Sequence, residues 1–161
     1  MIIFGVDPGI ASTGYGVIEK VKTKKFFRYL DCGLIKTTPD SPIAERLKKL
    51  NSDLDKLIRN FQPDVFVMEK VYFFRNLKTV IPVSQAQGVI LLAAAKNKVP
   101  VSQFTPLEVK MTITGFGRAE KEVVQKKIKK ILNLKKLPKS DDSVDALAIA
   151  LTYLMKKAKA T

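Results

Sequence analysis

Acidic residues at three places in the chain are the residue types best suited to chemistry. Asp7 ends the apolar run IIFGVD, Glu69 ends the run VFVME, and Asp142 and Asp145 stand three residues apart in DDSVDALAIA. The chain contains no histidine, which excludes a histidine general base, a Ser/His/Asp triad and imidazole ligands to a metal. Carboxylates that converge without cations repel one another and take up protons, so a cluster of these acids predicts a bound cation.

Ligand chemistry narrows the choice of cation and of reaction. Oxygen ligands select hard divalent ions, and Mg²⁺ is the usual ion where phosphate supplies the remaining ligands. Two such ions about 4 Å apart can activate a water and stabilise the leaving oxygen of a phosphodiester. The acids therefore predict metal-dependent hydrolysis of nucleic acid.

Each acid also has a purely structural interpretation. Asp-Pro-Gly is a common turn signal, and Glu69 next to Lys70 can be a solvated strand end. Asp141 or Asp142 can cap a helix. Because Asp141 and Asp145 would also share one helix face, spacing alone leaves the choice between Asp141 and Asp142 open.

The apolar pattern predicts the elements that must position these acids. β-Branched and aromatic residues indicate three antiparallel strands at residues 2 to 7, about 14 to 20 and about 25 to 36. An amphipathic helix of about 20 residues follows Ser41 and Pro42, and short strands lie at 64–70 and 100–104. Further helices are predicted at 84–96, at LEVKM, at about 119–132 and at about 141–157.

This order of elements predicts an α/β fold with a mixed sheet. Right-handed crossovers would place the first and fourth strands side by side and parallel. Asp7 and Glu69 would then reach the same carboxyl edge of the sheet, where ligand sites in open α/β sheets form.

Composition indicates the class of partner. The 161 residues are expected to form a single domain, 1–161, and carry a formal net charge of +14, which favours nucleic acid over a membrane surface. Cys32 is the single cysteine, which excludes an intrachain disulfide and suits a reducing cytoplasm. The chain begins without a basic leader, and its longest apolar run, Val89 to Ala95, is too short to cross a bilayer. We therefore expect a cytoplasmic protein with no membrane association.

Four motifs together resemble the RuvC-type Holliday junction resolvases: GVDPGIASTGYGV, the strand ending in Glu69, PLEVKMTITGFGRAEK and DDSVDALAIA. The resemblance covers nearly the whole chain. It implies the ribonuclease H-like fold with a mixed five-stranded sheet flanked by helices, a homodimer, and Mg²⁺-dependent, symmetrical nicking of four-way junction DNA. It also implies a branch-migration complex (RuvA and RuvB) as a partner.

The resemblance assigns the metal ligands and catalytic residues to Asp7, Glu69, Asp142 and Asp145. Asp142 is preferred to Asp141 because it opens the family pattern as DSVDALA. Two Mg²⁺ ions per active site are expected, with Mn²⁺ able to substitute.

Basic residues are the first class of candidate DNA contacts. Lys110 and Lys121 match family lysines near the scissile phosphate. From Arg118 to Lys139 nine residues are basic, and on the predicted helix several lysines project away from an apolar stripe. A solvated face is the preferred interpretation for any one of these lysines, and phosphate contact for the ensemble.

Aromatic residues form the second class. The segment after Glu69 contains Tyr72, Phe73, Phe74 and Arg75. These rings either pack beneath a loop or stack on unpaired bases at the junction centre, at about 1 to 3 kcal/mol per stack. In the family a phenylalanine three residues after the glutamate has the stacking role. Tyr72 holds that position here, which leaves open which ring stacks.

The sequence leaves three functions to be compared. The junction resolvase is the first hypothesis. A sugar-kinase or actin-like ATPase would need a second lobe with another acid-glycine turn, for which the chain has no room. A non-catalytic DNA-architecture module would use the acids only as caps and turns. For the predicted dimer, the candidate interface is the helix Ser84 to Lys96, with Ala86, Gly88 and Ala93 on a small-residue side.

Overall fold

A computed structural model of the chain describes residues 1–21, 27–70 and 77–159, with the side chains of 77–79 and 159 excepted. Its elements in chain order are β1 (Ile2–Asp7), β2 (Ser12–Lys20), β3 (Phe27–Lys36), α1 (Ile43–Phe61), β4 (Val65–Glu69), α2 (Leu77–Lys96), β5 (Val101–Phe104), α3 (Pro106–Thr114), α4 (Lys121–Ile131) and α5 (Asp141–Lys159).

The five strands form one mixed sheet in the order β3-β2-β1-β4-β5. β1 pairs antiparallel with β2 and parallel with β4, β2 pairs antiparallel with β3, and β4 pairs parallel with β5. The mixed five-stranded sheet is therefore confirmed, and β1 and β4 are parallel neighbours as the crossover rule predicts.

Alternation along the strands divides the buried side chains between two cores. Ile3 and Val67 point to the face covered by α3, α4 and α5. Phe4 and Phe66 point to the opposite face, which α1 and α2 cover, and their rings stack with centroids 4.7 Å apart. Because side chains alternate with a period of two, the last residue of β1 belongs to the face of α5.

Helix α2 differs from its prediction in length and orientation. It begins at Leu77 rather than Ser84, so that Pro82 lies inside the helix and its missing N–H removes one helical hydrogen bond. Ala86 and Ala93 are buried against the sheet, while Gly88 lies on the exposed side. The predicted small-residue side is therefore wrong as a single face. Among the described helices, none combines the length and the apolar character needed to cross a bilayer.

Helix α3 begins with a complete capping box. The Thr105 hydroxyl accepts from the Glu108 backbone N–H at 3.0 Å, and the Glu108 carboxylate accepts from the Thr105 N–H at 2.9 Å. Pro106 occupies the first helical turn, where its missing N–H costs nothing. This fixed start places α3 directly after the carboxyl end of β5, beside the edge that carries Glu69.

Candidate active site

Asp7 lies at the end of β1 on the face of the sheet that α5 covers. The loop that follows it is tied back to β2, since the buried Thr13 hydroxyl donates to the Gly9 carbonyl at 2.5 Å. Asp-Pro-Gly therefore opens the loop between β1 and β2, which bends at residues 10 and 11. This anchored loop fixes the end of the strand and so fixes the position of the Asp7 carboxylate.

Glu69 ends β4 at the same edge of the sheet. The parallel register pairs Val6 with Met68, and its continuation by one residue sets Asp7 beside Glu69. Both carboxylates follow buried strand residues of the α5 face, so both point toward that helix.

Helix α5 approaches the sheet closely enough to bring Asp142 and Asp145 to this edge. A Cβ atom at position 14 would lie 2.2 Å from the carbonyl oxygen of Asp142, and one at position 5 would lie 2.1 Å from that of Ala146. Side chains larger than hydrogen therefore do not fit at Gly14 or Gly5 unless the helix moves away. Because Gly14 pairs with Asp7, the contact places the first turn of α5 next to the end of β1.

The carboxylates at this edge shift one another's protonation. Burial raises the pKa of Asp7 from 3.8 to about 7, assisted by the charges of Asp145, Glu69 and Asp142 in that order. Burial also raises the pKa of Glu69, with the charge of Asp145 as the second cause. Burial raises the pKa of Asp145 as well, against the opposing effect of Lys121. Such shifts are characteristic of sites where charge is concentrated for chemistry.

Lys121, at the start of α4, contacts two carboxylates of α5. Its Nζ atom lies 3.2 Å from an oxygen of Asp145 and 3.2 Å from an oxygen of Asp141. Burial opposes the charged ammonium, but the hydrogen bonds and charges of Asp145 and Asp141 prevail and raise the pKa of Lys121. The lysine that the sequence predicts as a phosphate contact is therefore held on acidic groups of the site.

Asp141 and Asp142 point to different neighbours. Asp141 is exposed and accepts from the Gln125 side chain at 3.1 Å in addition to its contact with Lys121. Asp142 is partly buried and contributes to the raised pKa of Asp7, whereas Asp141 does not. Asp142 thus acts on Asp7, whereas Asp141 contacts α4 and shares Lys121 with Asp145, and the preference for Asp142 as a ligand stays a prediction.

A cleft of about 200 Å³ opens beside these groups, between β4, α3, α4 and α5. Glu69 and Asp145 contribute the acidic part of its lining, and Lys110 and Lys121 contribute the basic part. The rest of the lining is nonpolar: Pro106, Val109, Val124, Ala148 and Ile149. The cleft therefore offers groups for a cation and for an anion side by side.

The donor set fits a hard divalent cation by its chemistry. The candidate ligands are all carboxylates, the donors that Mg²⁺ and Ca²⁺ prefer. In the part of the chain that the structure describes, however, no three His, Cys, Asp or Glu side chains already form a group that could hold an ion. Mutual repulsion of the acids and the contact of Lys121 with Asp145 both favour this separation.

The remaining predicted DNA contacts fall in two groups. Tyr72, Phe73, Phe74 and Arg75 lie outside the described residues. Arg118 is exposed in the loop between α3 and α4. On α4 the predicted apolar stripe is buried or half-buried, and the exposed lysines besides Lys121 are Lys126, Lys127, Lys129 and Lys130.

Two features of the site were missed by the sequence reasoning. The first is the group of Lys121, Gln125 and Asp141, which the spacing of Lys121 and Gln125 four residues apart could have indicated as one helix face. The second is the contact of Gly14 with α5. Its signal was the pair of glycines in TGYGV, which leaves one face of a predicted strand without side chains.

Comparison with known proteins gives the family. The family model described as crossover junction endodeoxyribonuclease RuvC matches residues 3–153. A relative of that name from Pseudothermotoga lettingae is 48% identical over 150 residues, which cover 93% of this chain and 91% of the relative. A second, from Fusobacterium nucleatum, is 42% identical over 154 residues, covering 96% of this chain and 80% of the relative.

Solved structures agree with the sequence relatives. The structure of Thermus thermophilus RuvC in complex with a Holliday junction substrate matches with a TM-score of 0.93 at 35% identity, covering 100% of this chain and 97% of that one. The structure of Thermus thermophilus RuvC alone matches with a TM-score of 0.92 at 33% identity, covering 100% and 98%. The predicted ribonuclease H-like fold is therefore confirmed, and the chain belongs to the RuvC family of crossover junction endodeoxyribonucleases.

Proposed function

We propose that Asp7, Glu69, Asp142 and Asp145 hold the Mg²⁺ ions with which this protein cuts DNA. As a member of the RuvC family, the protein is an endodeoxyribonuclease that resolves Holliday junctions in DNA recombination and repair. One observation carries the assignment of the site: the parallel register sets Asp7 beside Glu69 at the carboxyl edge of the sheet, and Asp145 of α5 lines the same cleft as Glu69. Burial of repelling acids destabilises a fold, so the arrangement is better explained by chemistry than by stability.

Mg²⁺ is the proposed ion because the candidate ligands are all carboxylates and because the scissile phosphate would supply further oxygens. Two Mg²⁺ ions bound here would activate a water for attack and stabilise the leaving oxygen. Mn²⁺, which accepts the same donors, is expected to substitute. The ligands would lose their protons on binding, so the apparent affinity for Mg²⁺ should rise with pH through the pKa of Asp7, about 7.

Lys110 and Lys121 are proposed to hold the scissile phosphate. Both lie on the wall of the cleft that also carries Glu69 and Asp145. The Lys121 ammonium would release Asp145 to the metal and turn to a phosphate oxygen, while Asp141 keeps it nearby. The exposed lysines of α4 and Arg118 would add phosphate contacts along the DNA, which makes binding strongly dependent on salt.

A homodimer is proposed because two symmetrical nicks require two active sites. Exposed apolar residues lie in one stripe along α2: Ile81 is 67% exposed and Leu92 is 56% exposed, with Gly88 between them. A Cβ atom at position 88 would have no neighbour within 4 Å, so a second helix could approach closely there. Leu92→Glu should yield a monomer in light scattering and abolish paired nicking. A dimer that persists would move the interface elsewhere.

Cooperation with a branch-migration complex (RuvA and RuvB) and a cytoplasmic location stay predictions of the resemblance and of the composition. The architectural module without catalysis and the ATPase are set aside, since the family is one of nucleases.

The experiment that tests the site combines Glu69→Gln with a synthetic four-way junction and a titration of Mg²⁺. The variant keeps the size of the side chain and removes its charge, so junction binding should persist while nicking is lost at every Mg²⁺ concentration. Glu45→Gln, on the exposed first turn of α1, is the matched control and should nick normally. Normal nicking by Glu69→Gln would remove Glu69 from the metal site.

A further inference from the structure

An exposed nonpolar patch lies on α3 and the loop that follows it. Leu107 is 59% exposed, Met111 is 51% exposed and Phe116 is 61% exposed. Leu107 and Met111 are four residues apart and therefore share one helix face. Both side chains reach toward Gly117, where a Cβ atom would lie 2.5 Å from Leu107 and 3.6 Å from Met111. We call these three side chains the α3 patch.

The backbone holds Phe116 in a defined position. Gly115 ends α3 in the left-handed conformation, with φ of 83°, and its N–H donates to the Met111 carbonyl. The Thr114 hydroxyl accepts from the Phe116 N–H at 3.1 Å and lies 3.0 Å from the Phe116 carbonyl oxygen. Phe116 is thus an exposed ring on a fixed turn, which needs little further ordering to make a contact.

The α3 patch lies close to cationic residues along the chain. Lys110 lies on α3 within the same stretch as Leu107 and Met111, and Lys121 begins the next helix after Phe116. Both lysines line the cleft that holds Glu69. Arg118, exposed, follows Phe116 by two residues. DNA that contacts Arg118 would therefore lie close to Phe116.

We propose that the α3 patch, and Phe116 above all, makes a nonpolar contact with the sugars and base edges of the DNA strand that enters the active site. The inference rests on the proposed phosphate contacts of Lys110 and Lys121. A protein partner is the weaker alternative, because the cations around the patch and the net charge of +14 favour a polyanion. Contacts with phosphates position the DNA through charge, whereas an aromatic ring binds sugars and bases without using the charge of the phosphates.

This role has a distinctive signature in the salt dependence of binding. Loss of a phosphate contact reduces the slope of log affinity against log salt, since fewer counterions are released. Loss of a nonpolar contact lowers affinity and leaves that slope unchanged. Phe116→Ala and Arg118→Gln, two residues apart in one exposed loop, can therefore be told apart by the same measurement.

The test measures binding of a synthetic four-way junction in EDTA at several salt concentrations, so that hydrolysis plays no part. We expect Phe116→Ala to weaken binding about ten-fold with an unchanged salt slope, and Phe116→Tyr to restore it. Arg118→Gln should reduce the slope by about one. Ile43→Ala, an exposed apolar residue at the start of α1 on the opposite side of the sheet, is the matched control and should bind like the parent.

Junction affinity of Phe116→Ala equal to that of the parent protein, with the same thermal unfolding, would overturn the proposal and leave the patch to a protein partner. A reduced salt slope would also overturn it, since Phe116 would then act only by placing charges. The proposed active site is tested separately, because Phe116→Ala at saturating concentration should nick with Mg²⁺ whereas Glu69→Gln should bind and not nick.

Discussion

The acidic residues of this protein lie in two kinds of surroundings, which shift the pKa of a carboxyl group in opposite directions. At the start of α3, Glu108 accepts from Lys156 at 2.7 Å and from the Thr105 N–H, and these bonds lower its pKa to about 2. At the carboxyl edge of the sheet, burial and neighbouring acids raise the pKa of Asp7 to about 7. Groups of the protein itself neutralise the Glu108 carboxylate, whereas the ionised form of Asp7 requires an added cation.

This difference shows which acids serve stability and which are available for chemistry. Asp53 on α1 resembles Glu108, since hydrogen bonds from Lys49 and Lys56 lower its pKa. Among the described residues, Glu69 has no ion pair at all, and Asp145 shares its single lysine with Asp141. The acids on α1 and α3 are paired with lysines, whereas those at the sheet edge are only partly neutralised. We therefore expect an added positive charge to bind at that edge.

The largest effect should come from removing the charge of Asp7. Asp7→Asn is expected to lower the rate of junction nicking by about three orders of magnitude, because a lost metal ligand removes several kcal/mol of transition-state stabilisation. The measurement is single-turnover cleavage of a saturating junction in Mg²⁺. Asp53→Asn on α1 is the matched control and should nick like the parent. A residual rate within ten-fold of the parent would place Asp7 with the structural acids.

The two regions should also give opposite dependences of stability on pH in EDTA. The folded pKa of Asp7 lies above its ordinary 3.8, so its burial is free of cost at low pH and destabilises the fold as pH rises from about 4 to about 7. The folded pKa of Glu108 lies below its ordinary 4.5, so its stabilisation is complete above that pH and is lost as pH falls toward 2.

Urea unfolding between pH 3 and 8, in steps of about one unit, measures both slopes. Asp7→Asn should remove the fall in stability between about pH 4 and pH 7. The variant should therefore unfold at higher urea than the parent near pH 8. Glu108→Gln should remove the loss of stability that the parent shows as the pH falls below about 4.5. Parallel curves for Asp7→Asn and the parent would show that Asp7 is not held protonated by its surroundings.

A smaller effect is expected from Lys121, which contacts both Asp145 and Asp141 on α5. Its ammonium occupies Asp145 in competition with an added cation, so Lys121→Gln should bind Mg²⁺ more tightly in the absence of DNA, by several-fold for a partly exposed ion pair. The same variant should nick more slowly, since a proposed phosphate contact is lost. Thermal unfolding across a Mg²⁺ titration reports the first effect independently of activity. Weaker binding of Mg²⁺ would mean that Lys121 orients Asp145 rather than competing for it.

The sequence predicted the sheet edge well because general rules determine it. Alternation of side chains and the handedness of crossovers suffice to bring Asp7 and Glu69 to one edge, and neither rule depends on how particular side chains pack. The choice between Asp141 and Asp142 is different and stays a prediction. Helix period allows both, and the surroundings of each depend on how α5 lies on Gly14, a contact between residues far apart in the chain.

Other features were beyond sequence rules for similar reasons. Helix α2 extends seven residues before its predicted start, because a proline near a helix start is tolerated when tertiary contacts support the helix. The ion pairs of Lys121 depend on how α4 and α5 pack, which no periodicity encodes. The aromatic residues 72–74 lie outside the described part of the chain, so their stacking role stays a prediction.

The smallest effect should come from Lys156, which neutralises Glu108 and lies 4.9 Å from the centroid of the Phe104 ring. Lys156→Met keeps much of the nonpolar length and loses an exposed ion pair and a cation–π contact. It should therefore lower the free energy of unfolding by about 0.5 to 1 kcal/mol. Urea unfolding at pH 7 measures the loss, and Lys48→Met on α1 is the control for a more exposed lysine pair.

Nicking by Lys156→Met should match that of the parent at saturating junction, because Glu108 fixes the start of α3 through the Thr105 cap even without its lysine. Normal nicking would show that the start of α3 around Glu108 contributes to stability and not to the chemistry at the sheet edge. The opposite outcome is that nicking falls far more than stability does. That result would mean that Glu108, through its ion pair with Lys156, positions Lys110 of the same helix for the active site. The structural region would then be part of the active site.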